Sequence, residues 1–159
     1  MARRQLVGVF APEWVRPMAE VLGRLGAEHA WVVHGDGLDE LTTAGTTRVA
    51  AFADGKVKTF EVAPEDFGLP RARLEEIRGG EPQHNAELMR DLLGGAEGPL
   101  RDVVLLNSGA ALLVAGRVPT VEAGIELAAR SIDSSAARRV LDELVTRTNT
   151  VAIAEAVLR

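Results

Sequence analysis

Two apolar runs, Gln5-Leu6-Val7-Gly8-Val9-Phe10 and His29-Ala30-Trp31-Val32-Val33-His34, bracket a segment of helical character and decide how the chain folds. Each run is short and nearly free of charge, as a strand buried on both faces must be. Ala11-Pro12 ends the first run. Between them Trp14, Met18, Val21, Leu22 and Leu25 recur every three or four positions, the stripe of an amphipathic helix with Pro12 in its first turn and Gly26 at its end. A strand–helix–strand unit of this length predicts two parallel strands joined by a right-handed crossover. The loop that leaves the second strand, Gly35-Asp36-Gly37-Leu38-Asp39-Glu40, then lies at the carboxyl ends of the strands, where open α/β sheets hold their ligands.

Further along, Arg48–Ala53 and Lys56–Val62 flank Asp54-Gly55, a dipeptide suited to a tight hairpin turn. From Pro70 onward the pattern turns helical. Apolar spacing predicts helices over Arg71–Arg78, Gln83–Leu93, Pro99–Ala115, Thr120–Ser131 and Ser134–Thr146. Gly79-Gly80, Gly94-Gly95 and Gly116 read as C-caps, and Thr120 and Ser134 as N-caps. The stretch Val103–Leu113 is apolar almost all round, which predicts a helix packed on several sides. Thr150–Arg159 extends the last helix or frays. The expected architecture is α/β: a parallel or mixed sheet with a strand–helix–strand start and a helical C-terminal half, forming a single domain over residues 1–159.

Composition narrows the function. The formal net charge is −5, the 18 basic residues are dispersed, aromatics are 4% and tyrosine is absent, so neither a basic stripe nor a stacking platform for nucleic acid is present. The absence of cysteine removes disulfides, thiolate metal sites and a cysteine nucleophile. No apolar run approaches the ~18 residues of a membrane span and the start lacks a signal-like core, so no membrane association is expected and the cytoplasm is the expected compartment.

The acids Asp36, Asp39 and Glu40 fall within five residues, spaced by glycine. Such a loop either gathers carboxylates for a hard cation such as Mg2+, which takes one or two carboxylates and completes its shell with water and phosphate oxygens, or is a solvated turn of good turn formers. Of the three histidines only His34, at the end of a strand beside this loop, is placed to face a ligand; a loop-orienting hydrogen bond is its structural alternative. His84 reads as solvated or capping. Neither glycine pair follows a strand, so neither is a phosphate loop, and no Gly-x-Ser-x-Gly elbow occurs. Trp14 and Trp31 fall on predicted core faces.

Taken together, Ala2–Phe10, Val32-Val33-His34-Gly35-Asp36-Gly37-Leu38-Asp39-Glu40 and Leu105-Leu106-Asn107-Ser108-Gly109-Ala110-Ala111-Leu112 resemble the anthranilate phosphoribosyltransferase family. The Gly-Leu-Asp-Glu element is the most specific part; the Leu-Asn-Ser-Gly-Ala-Ala stretch is shared with the wider nucleoside-phosphorylase-type fold. The resemblance implies transfer of phosphoribosyl from phosphoribosyl pyrophosphate (PRPP) to the amine of anthranilate, in tryptophan biosynthesis, with Asp39 and Glu40 contributing to a Mg2+ site. It also implies a partner. Family members look about twice as long, and their Gly-Thr-Gly-Gly-Asp and Lys-His-Gly-Asn segments do not occur in these residues. The expectation is a C-terminal portion, inactive in isolation, that self-associates or pairs with the missing N-terminal half; a non-catalytic scaffold with that pairing role, or an unrelated acidic α/β ligand-binding domain, are the alternatives.

Overall fold

The computed structural model describes residues 2–157. Strand β1 (Arg4–Gly8) leads through a single 3-10 turn, Pro12–Trp14, into helix α1 (Val15–Arg24) and then strand β2 (His29–Gly35). The two strands are parallel, with Leu6 opposite Trp31. Strands β3 (Thr47–Ala53) and β4 (Lys56–Val62) follow as an antiparallel hairpin, and β3 runs antiparallel to β2. The sheet is therefore mixed, in the order β1-β2-β3-β4. Asp54 and Gly55 both take positive φ, 51° and 73°, the backbone of a type I′ turn, which matches the twist of the strands it joins.

Strand β2 is apolar along its length because both of its faces are covered. Ala30 and Val32 point to one side, with Ala50 of β3, against Val15, Ala19 and Leu22 of α1. Trp31 and Val33 point to the other, with Val49, against Leu106, Ala110 and Val114 of helix α3 (Pro99–Val114). Phe60 meets Trp31 edge to face at 5.5 Å. Helix α4 (Val121–Asp133), capped at its start by the Thr120 hydroxyl, crosses α3 backbone to backbone: a Cβ on Gly109 would fall 2.8 Å from the Val121 carbonyl, and one on Gly124 would fall 2.6 Å from that of Gly109.

The described chain divides into two compact units. Met1–Arg78 with Glu97–Ala128 holds the sheet, α1, α3 and the first part of α4. Gly79–Ala96 with Ala129–Arg159 holds helix α2 (Pro82–Leu93), the end of α4 and helix α5 (Ala136–Val157). In the second unit Leu92 and Ile132 are buried, whereas Met89, Val140, Leu144 and Val145 are exposed.

Several local expectations are corrected. The apolar stripe of α1 is two stripes lying side by side at ~100° per residue. The sheet takes Val15, Ala19 and Leu22, whose modest side chains allow close approach, and leaves Trp14, Val21 and Leu25 outward. Trp31 is 7% exposed but Trp14 is 48% exposed, so only Trp31 is core. Strand β1 ends before Phe10, which is exposed. No α-helix forms over Arg71–Arg78: the Ala72 amide donates to the Thr43 carbonyl (2.9 Å), which holds this backbone extended until one 3-10 turn, Leu74–Ile77. Gly79-Gly80 therefore caps no helix; the Asn85 amide instead brackets Gly80, accepting from its N–H and donating to its carbonyl. Ser134 closes α4, its amide donating to Arg130, and α5 starts after Ser135. Thr150–Val157 continues α5, while Leu158 and Arg159 lie outside the described residues.

Candidate active-site loop

The loop after β2 folds back over the carboxyl ends of β1 and β2. Gly35 and Leu38 exchange backbone hydrogen bonds (2.9 and 3.1 Å), and the Asp36 amide donates to the Thr46 carbonyl. Two glycines make this fold-back possible. A Cβ on Gly8 would lie 2.5 Å from the Asp39 carbonyl oxygen, and one on Gly35 would lie 2.5 Å from that of Glu40. The loop thus rests directly on the strand backbone.

From the other side it is held by α3. Asn107 Oδ1 accepts from the Leu41 amide (3.0 Å), and its Nδ2 donates to the Leu41 carbonyl (2.8 Å) and to the Val103 carbonyl (2.9 Å). Leu41 itself is fully buried. The Thr47 hydroxyl accepts from the Thr42 amide, and the Thr42 hydroxyl accepts from the Ala44 amide, so the backbone after Leu41 is tied internally. Thr42 and Thr47 carry no sequence expectation, and Asn107 enters there only inside the Leu-Asn-Ser-Gly-Ala-Ala stretch, without a role. Their signal is an amide in an otherwise apolar helix face, and hydroxyls following the acidic run.

Asp39 and Glu40 sit side by side on this pinned backbone, exposed, and neither carboxylate has a hydrogen bond or ion pair among the described residues. Asp36 is exposed at the start of the loop and His34 is half-buried beneath it. The His34 Nδ1 lies 2.8 Å from the Val9 carbonyl and must donate to it, since a carbonyl only accepts. Among the described residues no group of three or more His, Asp or Glu is arranged to hold a metal. Two adjacent carboxylates free of cationic neighbours are nevertheless a donor set that suits Mg2+, which completes its shell with water and phosphate oxygens.

A mixed sheet covered by helices on both faces, with a carboxylate loop at its strand ends, defines an α/β domain. Residues 1–138 match the family described as the glycosyl transferase family, a/b domain, and the chain belongs to that family. Its similar relatives are anthranilate phosphoribosyltransferases. That of Parvibaculum lavamentivorans is 54% identical over 150 residues, covering 94% of this chain and 44% of the relative. That of Mesorhizobium japonicum is 53% identical over 146 residues, covering 92% and 44%. Among solved structures, the Thermus thermophilus anthranilate phosphoribosyltransferase is 44% identical with a TM-score of 0.79, over 87% of this chain and 41% of that one. The Saccharomyces cerevisiae enzyme in complex with PRPP and Mg is 26% identical with a TM-score of 0.83, over 92% and 43%. The chain spans less than half the length of the relatives it matches and corresponds to a C-terminal portion of them.

Proposed function

We propose that this chain is the C-terminal share of an anthranilate phosphoribosyltransferase and that Asp39 and Glu40 are its contribution to the magnesium site. The observation that carries this reading is the pair of exposed, unpartnered carboxylates on a backbone clamped between Gly8, Gly35 and Asn107. In the reaction the amine nitrogen of anthranilate forms a bond to the anomeric carbon, the bond from that carbon to pyrophosphate breaks, and the amine loses a proton. Bound Mg2+ would take up charge developing on the departing pyrophosphate. Asp39 and Glu40 would hold the ion against the loop, and the Asn107 clamp would keep them from turning away. Such a biosynthetic transfer belongs in the cytoplasm; among the described residues no helix is long and apolar enough to cross a membrane.

The same reading requires further protein. Among the described residues β1 pairs only with β2, so its other edge presents unpaired backbone groups. Arg16, Glu20 and Gly23 lie on the β4 flank of α1, beside Phe52 and Val57. Trp14, Val21 and Leu25 then face the opposite flank, over the β1 edge, at ~100° per residue. A free edge overlooked by an apolar stripe fits the segments of an N-terminal half, and the exposed apolar side chains of the second unit fit the same need. The test is turnover of anthranilate and PRPP with Mg2+, alone and after adding a separately produced N-terminal half of a relative. The isolated chain gives none; the mixture turns over, and D39N or E40Q lowers its rate by about a hundredfold or more while association persists. Turnover on mixing that both variants leave unchanged overturns the metal assignment. Association without turnover leaves only the scaffold role.

A further inference from the structure

We infer that a second cleft, behind the carboxylate loop and distinct from Asp39 and Glu40, binds a small zwitterion of the amino-acid type. The cleft has a volume of about 420 Å³ and is lined by Pro12, His34, Asp36, Gly45, Arg48, Glu61 and Arg71. That is the lower range of small-ligand sites and ample for one amino acid.

Its unmet groups define the ligand. Among the described residues Asp36 has no hydrogen bond or ion pair through its carboxylate. Gly45 determines where that carboxylate lies: a Cβ at position 45 would be 2.9 Å from the Asp36 Cβ and 3.0 Å from its Oδ2, so the side chain rests in the space a larger residue would fill. His34 spends its Nδ1 proton on the Val9 carbonyl, which leaves Nε2 as the ring's remaining polar atom. The Asp36 carboxylate asks for a donor, best an ammonium. Arg48 donates through Nε alone, to Glu61 at 3.2 Å, leaving both terminal nitrogens. Arg71 is oriented by two bonds to Glu65, at 2.8 and 3.1 Å, leaving Nη1. These nitrogens ask for a carboxylate.

Charge decides between ligand classes. Counting Glu65, which Arg71 already bonds, two guanidinium groups stand against Asp36, Glu61 and Glu65, so a phosphate dianion would meet a surplus of negative charge and a simple cation would leave the free guanidinium N–H groups unmatched. A zwitterion meets each sign with its opposite. Both arginine pairs are exposed, so redirecting their donors to a ligand costs little. Pro12 supplies an apolar wall for a side chain. This inference does not rest on the proposed transferase activity.

The test is titration of the isotopically labelled chain with L-alanine, L-leucine and L-phenylalanine, following backbone amide resonances. Acetate, methylammonium and inorganic phosphate serve as single-sign controls. At least one amino acid gives saturable shifts at Asp36, Gly45, Thr46 and Arg48, and each single-sign control binds about tenfold more weakly or worse. D36N and R48Q each weaken binding by about tenfold. G45A, which keeps every charge but displaces the Asp36 side chain, does the same. No saturable shift with any amino acid, a single-sign control that binds equally well, or binding that survives D36N and R48Q overturns the proposal.

Discussion

The two compact units of this chain treat apolar side chains in opposite ways. The sheet unit buries Trp31, Val33, Val49, Leu106 and Ala110 on one face of β2 and Val15, Ala19, Leu22 and Val32 on the other, so each face of the strand is covered from within the chain. The helical unit buries Leu92 and Ile132 while Val140 stands 67% exposed and Leu144 57%. Helices draw most of their stability from a packed face, so the second unit holds helical form with little of what ordinarily supports it. The difference teaches that the described residues supply their own packing above and below the sheet and too little of it around the helices.

Truncation inside the sheet unit breaks this contrast most strongly. Leu106→Ala, at 1% exposure, should cost about 2–5 kcal/mol in chemical denaturation, whereas Leu144→Ala should change stability by no more than about 0.5 kcal/mol. Equal losses at the two sites would erase the distinction between the units. Asn107→Ala should come next, at about 1–3 kcal/mol, because it strands the Leu41 amide and carbonyl. It should also raise amide exchange across residues 38–44. Hydrogen exchange on the unmodified chain sharpens the comparison without mutation: amides of α2 and of α5 up to Thr150 should exchange before those of β2 and α3.

The smallest effects are electrostatic. Burial, reinforced by the Arg4 cation, holds His29 below its usual 6.5. The folded state therefore favours the neutral ring, so this contribution is whole above pH 6.5 and is lost as pH falls through the depressed folded value. Burial likewise lifts Asp102 above 3.8, helped by Glu97 and opposed by Arg101, and the sign reverses: its contribution is present below 3.8 and is lost as pH rises through the raised value. His29→Gln should flatten the acid limb of the stability profile below pH 6.5, and Asp102→Asn should remove the opposing slope at lower pH.

Much of the sheet unit was legible in the sequence because its signals are local. Two uninterrupted apolar runs, Asp54-Gly55 and the Thr120 cap each act within a few residues, and each lies where expected except that β1 stops at Gly8, short of Phe10. The misreadings have a non-local cause. Nothing near Trp14 or Leu25 reveals that the sheet accepts the neighbouring stripe of α1, and nothing near Arg71 announces that Thr43 will hold the backbone beside it. Asp39 and Glu40 were visible as residues, but the frame that fixes them was not. Its glycines and its asparagine come from β1, β2 and α3, and only the fold brings them together.

The Asn107 clamp has a bearing on time as well as on shape. It closes a contact between residues 66 positions apart in the chain. Such a contact forms only after the intervening hairpin and the turns up to α3 have found their places, because long loops pay their closure entropy before any reward arrives. The acidic loop is therefore among the last features to settle when the chain emerges from synthesis. Until α3 docks, the backbone that carries Asp39 and Glu40 is spread over many arrangements, so the spacing between their carboxylates becomes a clock for the maturity of the fold.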